Sequence, residues 1–189
     1  MKTAALLLAA GHSRRFGAAN KLLAPLNGRP LVSHTAETLR RLRLDHLVAC
    51  VRDPVVGRLL EDFELCFLPD AEPDQSASVA HGIKRCADLG ADRTLIALAD
   101  MPFVSTVHLK GVIDQCVPVQ GSATVCAGKV MPPACFPRAQ YDELQKLSGD
   151  RGAAFILRSL PAQALVEAEA REIADIDTPD DIPRASGTT

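Results

Sequence analysis

A glycine-punctuated loop and two distant aspartates are the parts of this sequence whose side chains could handle phosphate. The loop follows the apolar run "TAALLLAA" and reads "GHSRRFGAANKLL", with Gly11, Gly17 and, further on, Gly28 as its flexible points. Ser13, Arg14, Arg15 and Lys21 supply hydrogen-bond donors within it. Glycine lets backbone N–H groups come close to an anion, and arginine and lysine neutralise phosphate charge. Neither GxGxxG nor GxxxxGK(S/T) is present, so this is not a common dinucleotide fingerprint or P-loop. On spacing alone two readings stand side by side: a phosphate-holding loop, or a solvated turn whose charges keep it soluble.

Asp100 closes the run "LIALAD" and precedes Met101-Pro102. Pro102 disfavours helical geometry at Met101, which predicts a strand that stops abruptly with Asp100 beside the ligand-bearing edge of a sheet. A carboxylate there suits Mg2+, which prefers oxygen ligands and keeps several waters, while an isolated Asp in the same setting also serves as an ordinary turn or cap residue. The second acidic stretch is "EIADIDTPDDI". Alternation puts Asp175 and Asp177 on one side of a predicted strand, one available to a metal and the other to a loop cap. Thr178-Pro179 reads as a helix start, with Asp180 and Asp181 favourable in its first turn. Ser76 and Ser78 in "DQSASVAHG" fall at a predicted helix N-terminus, where serine commonly caps. The five histidines lack HExxH or paired spacing and GxSxG is missing, which sets aside a histidine metal site and a serine hydrolase.

The elements that must position these residues alternate. Apolar runs at 4–9, 46–51, 65–68, 94–99 and 122–127 are continuous rather than alternating, as in strands covered on both faces. Between them, Pro30 opens a predicted helix in which Leu31, Thr35, Leu39 and Leu42 share a face, and 76–89, 105–116, 138–147 and 151–160 are further helical segments. Strand, loop and helix in repetition predict an α/β sandwich with a mostly parallel sheet, whose ligands bind outside the carboxyl ends of the strands. The first of those ends is Ala9-Ala10-Gly11.

The totals bound the rest. A chain of 189 residues without repeats or an interdomain linker predicts one domain, with "RASGTT" at 184–189 as a frayed tail. The 21 Lys and Arg against 23 Asp and Glu give a net charge of −2, so no global field gathers nucleic acid or an anionic membrane. Six dispersed cysteines, none in a CxxC pair, read as reduced and cytoplasmic. The opening apolar run is at the short limit for a leader and continues into Gly-His-Ser-Arg-Arg, so it reads as a strand. No run approaches the ~20 apolar residues needed to span a bilayer.

Taken together, five stretches resemble the molybdenum cofactor cytidylyltransferase branch of the nucleotidyltransferases: "LLLAAGHSRRFGAANKLLAPLNGRPLV", "SASVAHGI", "ADMP", "LSGDRGAAFIL" and "DIDTPDDI", in that order over most of the chain. The resemblance implies a Rossmann-like three-layer sandwich of the nucleotide-diphospho-sugar transferase type. It implies transfer of CMP from CTP to the terminal phosphate of molybdopterin, with Mg2+ as cofactor, for delivery to a recipient molybdoenzyme or its maturation factor. Gly11, Ser13, Arg15, Gly17 and Lys21 match the family's triphosphate loop, with Arg15 and Lys21 on the phosphates. Asp100 matches its principal metal ligand and Asp177 a second one; Ser76, Ser78 and Gly82 match a segment near the nucleotide. Ala9-Ala10-Gly11 is similar to cytidine-using relatives, whereas guanosine-using ones show Ala-Gly-Gly; a side chain at Ala10 narrows the room beside the base.

The chain departs from the pattern at Ala99 for Gly, at Met131 and Pro132 in "GKVMPPACF" for Gly and His, and at Ala154 for Arg. The last two face the acceptor in the family, which keeps GTP or CTP with another phosphorylated acceptor, such as a sugar phosphate, as an alternative. A non-catalytic nucleotide or cofactor carrier is the more distant one.

Overall fold

The run Thr3–Ala9 forms β1, an interior strand of a seven-stranded sheet. The computed structural model describes residues 1–11, 16, 20–69, 75–147 and 154–182. Ser13, Arg15 and Gly17 of the expected phosphate loop lie outside them, as do 148–153 and the 184–189 tail.

Around β1 the sheet is built from β4 (His46–Val51), β5 (Glu64–Phe67), β6 (Arg93–Leu98), β7 (Ser122–Cys126), β8 (Lys129–Pro137) and β9 (Leu165–Glu167) in the order β5-β4-β1-β6-β8-β7-β9. The pairings β1 with β4, β1 with β6, β4 with β5 and β7 with β9 are parallel, and only β8 runs against its neighbours. A small hairpin of β2 (Pro25–Leu26) and β3 (Arg29–Pro30) turns at Asn27-Gly28, both at positive φ. That backbone is the one Asn-Gly turns favour.

Continuous hydrophobicity is explained by cover on both faces. Ala5, Leu7 and Ala9 of β1 face one core, shared with α1 (Leu31–Arg41) and α4 (Thr106–Gln115), while Ala4 and Leu6 face another under α3 (Gln75–Asp88), α5 (Tyr141–Gln145) and α6 (Ala154–Arg158). A strand buried twice has no polar face to alternate with. The result is the expected three-layer α/β sandwich. Among the described residues no helix is long and apolar enough to cross a membrane.

The structure corrects the element map in four places. The stretch 129–137 is a strand, β8, although it contains three prolines. Pairing of β7 with β8 jumps from Ala123↔Ala134 to Thr124↔Met131, so Pro132 and Pro133 sit in a register shift where no ladder N–H is required of them. The helix expected over 138–147 is a single 3-10 turn, Arg138–Gln140, followed by the short α5. The sequence reading also passed over β9 and α2 (Pro54–Arg58), both too short for periodicity to register. Finally, 173–178 is not a strand. Its backbone tie to the sheet's edge is Ile176 N–H to the carbonyl of Asp100 at 2.9 Å, and the chain then turns at Thr178-Pro179.

Helix α3 lies close on β1 because Gly82 has no side chain. A Cβ there would come within 2.4 Å of Leu6 Cδ1, and Leu6 is fully buried with no room to retreat. Gly82→Ala is therefore expected to destabilise the protein by about 1–3 kcal/mol through overpacking, against a gain of about 1 kcal/mol from replacing a helix-interior glycine. Urea unfolding checks this: the midpoint falls, whereas a rise would mean that α3 shifts freely on β1.

Candidate functional site

Lys21 is delivered to the carboxyl edge of the sheet by a capped turn. Asn20 precedes the 3-10 turn Lys21–Leu23, and its side-chain oxygen accepts from the Leu22 N–H at 3.0 Å. The Asn20 amide in turn donates to Asp53 at 2.9 Å, tying the turn to the segment after β4. Leu22 is buried in the core, which fixes the direction in which Lys21 leaves the backbone. Its ammonium donates to Asp100 Oδ2 at 2.7 Å and to Asp177 Oδ1 at 2.8 Å.

The two carboxylates arrive from different directions. Asp100 stands in the turn after β6, where Ala99 N–H still pairs with the Leu8 carbonyl and Thr35 Oγ1 donates to the Met101 carbonyl at 3.0 Å. Asp177 is held by Asp181, whose Oδ2 accepts from Asp177 N–H at 3.1 Å, Thr178 N–H at 2.7 Å and Thr178 Oγ1 at 2.8 Å. Ile176 is buried while Asp175 is exposed, so of the two acids expected on one side of a strand only Asp177 turns to Lys21.

Burial of the Lys21 ammonium works to lower its pKa, but the hydrogen bonds and charges of Asp100 and Asp177 outweigh this and hold it above the ordinary lysine value. Lys21 is thus firmly cationic at neutral pH. Its side chain is 11% exposed, against 21% for Asp100 and 38% for Asp177, so the cluster is open on the Asp177 side. Asp100 Oδ1 is buried and has no hydrogen-bond partner among the described residues. A buried carboxylate oxygen without a donor is costly unless something positive meets it. No group of three or more His, Cys, Asp or Glu able to hold a metal exists among the described residues. Two hard oxygen donors, one of them unsatisfied, fit Mg2+, which binds through one or two carboxylates and takes its remaining ligands from water and phosphate.

The segments expected near the nucleotide lie at the carboxyl end of β1 and in the first turns of α3. Ala9 and Ala10 are buried at the end of β1, and Gly11 is exposed, with open space where a Cβ would stand. Among the described residues, no packing demands a glycine there. Ser76 and Ser78 are buried in the first turn of α3, and Ser76 joins Leu8, Val79, Pro132, Phe136 and Leu157 around an apolar pocket. Gly82, two turns further along α3, is where the helix packs on Leu6. Pro132 therefore brings the departing β8 segment to the same pocket as Ser76.

Three positioning residues escaped the sequence reading. Arg52, at the end of β4, donates from Nε to the Ala10 carbonyl at 3.3 Å and from Nη1 to the Pro69 carbonyl. An arginine directly after an apolar strand adjacent to β1 was the available signal. Asn20 carried one as a cap residue before "KLL", and Asp181 was read as a helix-start acid without its reach back to Thr178.

A mostly parallel α/β sheet of this order is the nucleotide-diphospho-sugar transferase fold. The chain belongs to the MobA-like NTP transferase domain family, whose model matches residues 5–165. It is 33% identical over 190 residues to the purine catabolism protein PucB of Bacillus subtilis, covering 93% of this chain and 92% of that one. It is 28% identical over 185 residues to a molybdenum cofactor guanylyltransferase of Pseudomonas putida, covering 93% of each. Among solved structures, Rv0371c of Mycobacterium tuberculosis superposes with a TM-score of 0.85 at 25% identity over 100% of both chains, and the same protein has been solved as a manganese complex, TM-score 0.81 at 23% identity over 100% of both chains.

Asp181→Ala removes the acceptor of three hydrogen bonds that fix Asp177. The expected result is a loss of about 1 kcal/mol in stability, as for a lost cap, and a fall of about 10-fold to 100-fold in pyrophosphate release as Asp177 drifts from Lys21. Unfolding curves and a turnover assay check both; unchanged turnover would show that Asp177 does not need this clip.

Proposed function

We propose that this chain transfers CMP from CTP to the terminal phosphate of molybdopterin, releasing pyrophosphate. The observation that carries the reading is the Lys21 ammonium between Asp100 and Asp177 at the carboxyl edge of the sheet, next to Ala9-Ala10-Gly11. In this reading an oxygen of the acceptor phosphate attacks the α-phosphorus of CTP in line, the bond from that phosphorus to the bridging oxygen breaks, and pyrophosphate leaves. The attacking group is already an oxyanion, so no protein nucleophile is needed and positioning and charge supply the rate.

Each residue has a task in that step. Gly11, with no described residue where a Cβ would stand, lets the backbone approach the phosphates. Lys21 neutralises charge that builds on the departing phosphates, and Arg15, with Ser13 and Gly17 in the same motif, shares that task by resemblance. Asp100 and Asp177 would hold Mg2+, with the unpartnered Asp100 Oδ1 as the readiest ligand. Bound there, the ion would supply positive charge to offset the negative charge of the phosphates. Arg52 fixes the Ala10 carbonyl and so the wall against the base, and we assign the nucleotide side of α3 to Ser76, which lines the apolar pocket, and to Ser78 in the same turn.

The choice of CTP rests on the resemblance of Ala9-Ala10-Gly11 to cytidine-using relatives, in which a side chain at Ala10 would narrow the room beside the base. A second reading, GTP, is favoured by the relative named molybdenum cofactor guanylyltransferase. Another phosphorylated acceptor is the corresponding alternative at Met131-Pro132, where the β8 segment departs from the family pattern. The relative named purine catabolism protein supports a recipient molybdoenzyme that acts in purine breakdown. We place the reaction in the cytoplasm, performed by residues 1–189 as one domain.

The test is pyrophosphate release by the purified chain with Mg2+ and molybdopterin, run in parallel with CTP and GTP. Release with CTP is expected, and Asp100→Ala is expected to lower it about 10²-fold to 10³-fold with unchanged circular dichroism. Release with GTP alone would overturn the base assignment. Release with neither, but with a sugar phosphate as acceptor, would overturn the acceptor.

A further inference from the structure

The gap between Asp100 and Asp177 is filled by a charge that belongs to the chain itself. Lys21 Nζ stands 2.7 Å from Asp100 Oδ2 and 2.8 Å from Asp177 Oδ1, and its side chain is the most buried of the three. A divalent ion held by the same two carboxylates would need oxygens at about 2 Å. It would therefore stand within contact distance of the ammonium, where like charges repel strongly. Lysine carries its charge as a point on a flexible four-carbon stem, so it can leave the gap without moving the backbone that Asn20 and Leu22 fix.

We propose that Lys21 and the divalent cation are alternative occupants of the gap between Asp100 and Asp177, and that the polyphosphate of the incoming nucleotide hands the gap over by drawing the ammonium onto its own oxygens. This rests on the metal position given under the proposed function and adds its regulation. Without nucleotide, Lys21 cancels the repulsion between the two carboxylates and keeps the ion out. With nucleotide, the anionic phosphates give Lys21 a second partner and the ion a second set of ligands. The two ligands then strengthen each other's binding by the same factor, as linkage requires.

The experiment is a titration of the purified chain with Mn2+, following free Mn2+ by its electron paramagnetic resonance signal, with and without CTP and with the Mn2+ taken up by CTP in solution subtracted. Wild type is compared with Lys21→Gln and Lys21→Arg. The expected result is that wild type binds Mn2+ at least tenfold more weakly without nucleotide than with it. Lys21→Gln should bind Mn2+ alone at least tenfold more tightly than wild type and lose most of the dependence on nucleotide, while Lys21→Arg, which keeps the charge, should behave like wild type. Should Lys21→Gln fail to fold, Lys21→Met, equally neutral and closer in shape to the lysine stem, is read in its place with the same expected tightening. Equal Mn2+ affinity in wild type and Lys21→Gln, abolished by Asp100→Ala, would leave the metal position standing and overturn the exclusion. No Mn2+ bound by any of them, with or without nucleotide, would overturn both.

Discussion

One ammonium joins three parts of the chain that are far apart in sequence. Lys21 lies 79 residues from Asp100 and 156 from Asp177, and its two charged hydrogen bonds bring the turn after β1, the turn after β6 and the C-terminal segment to one point. Charge-assisted bonds are roughly twice as strong as neutral ones, and breaking one side leaves a partly buried charge unopposed. The remainder of the architecture can be understood as the means of keeping these three side chains within reach of one another.

The sheet does this through parallel register. β1 and β6 pair from Thr3↔Arg93 to Leu8↔Leu98, so Ala9-Ala10-Gly11 and Asp100 emerge at the same edge. β4 on the other side ends level with them, Ala9↔Val51, and places Arg52 against the Ala10 carbonyl. Burying both faces of these strands makes that edge rigid, since interiors packed like crystals resist small shifts. β8 breaks the parallel pattern, and by running the other way it carries Pro132 back to the same edge from the opposite side of β6. Strand direction alone thus brings Pro132 of β8 to the pocket that Ser76 of α3 also lines.

How much of this was legible in the sequence depends on how local the cause was. β4 was read as 46–51 and occurs as His46–Val51, because a continuous apolar run is a local signal. α3 and α4 were read to within a residue at each end for the same reason, with Ser105 as a cap that accepts from His108 N–H. β8 was missed because its prolines argue against a strand unless the register shift opposite Ala123 and Thr124 is known, and that shift is a property of the partner strand. The site divides in the same way. Residue types and spacing picked out Lys21, Asp100 and the pair Asp175 and Asp177, but which acid of that pair meets Lys21 was decided by Ile176 entering the core and by the Asp181 clip. For Arg52 the sequence offers only its place after an apolar strand, because its partner, the backbone carbonyl of Ala10 just past β1, leaves no mark of its own.

The central claim is that Asp100 and Asp177 act as one unit on one positive charge, and a double-mutant cycle on kcat/KM for nucleotidyl transfer tests it most directly. Wild type, Asp100→Asn, Asp177→Asn and the double variant would be compared under the same Mg2+ and nucleotide concentrations. If the two carboxylates share one charge, the double variant loses about as much as the worse single variant, a strongly non-additive outcome. Losses that simply multiply would contradict the account, because they would mean that the two aspartates act on separate steps or separate partners.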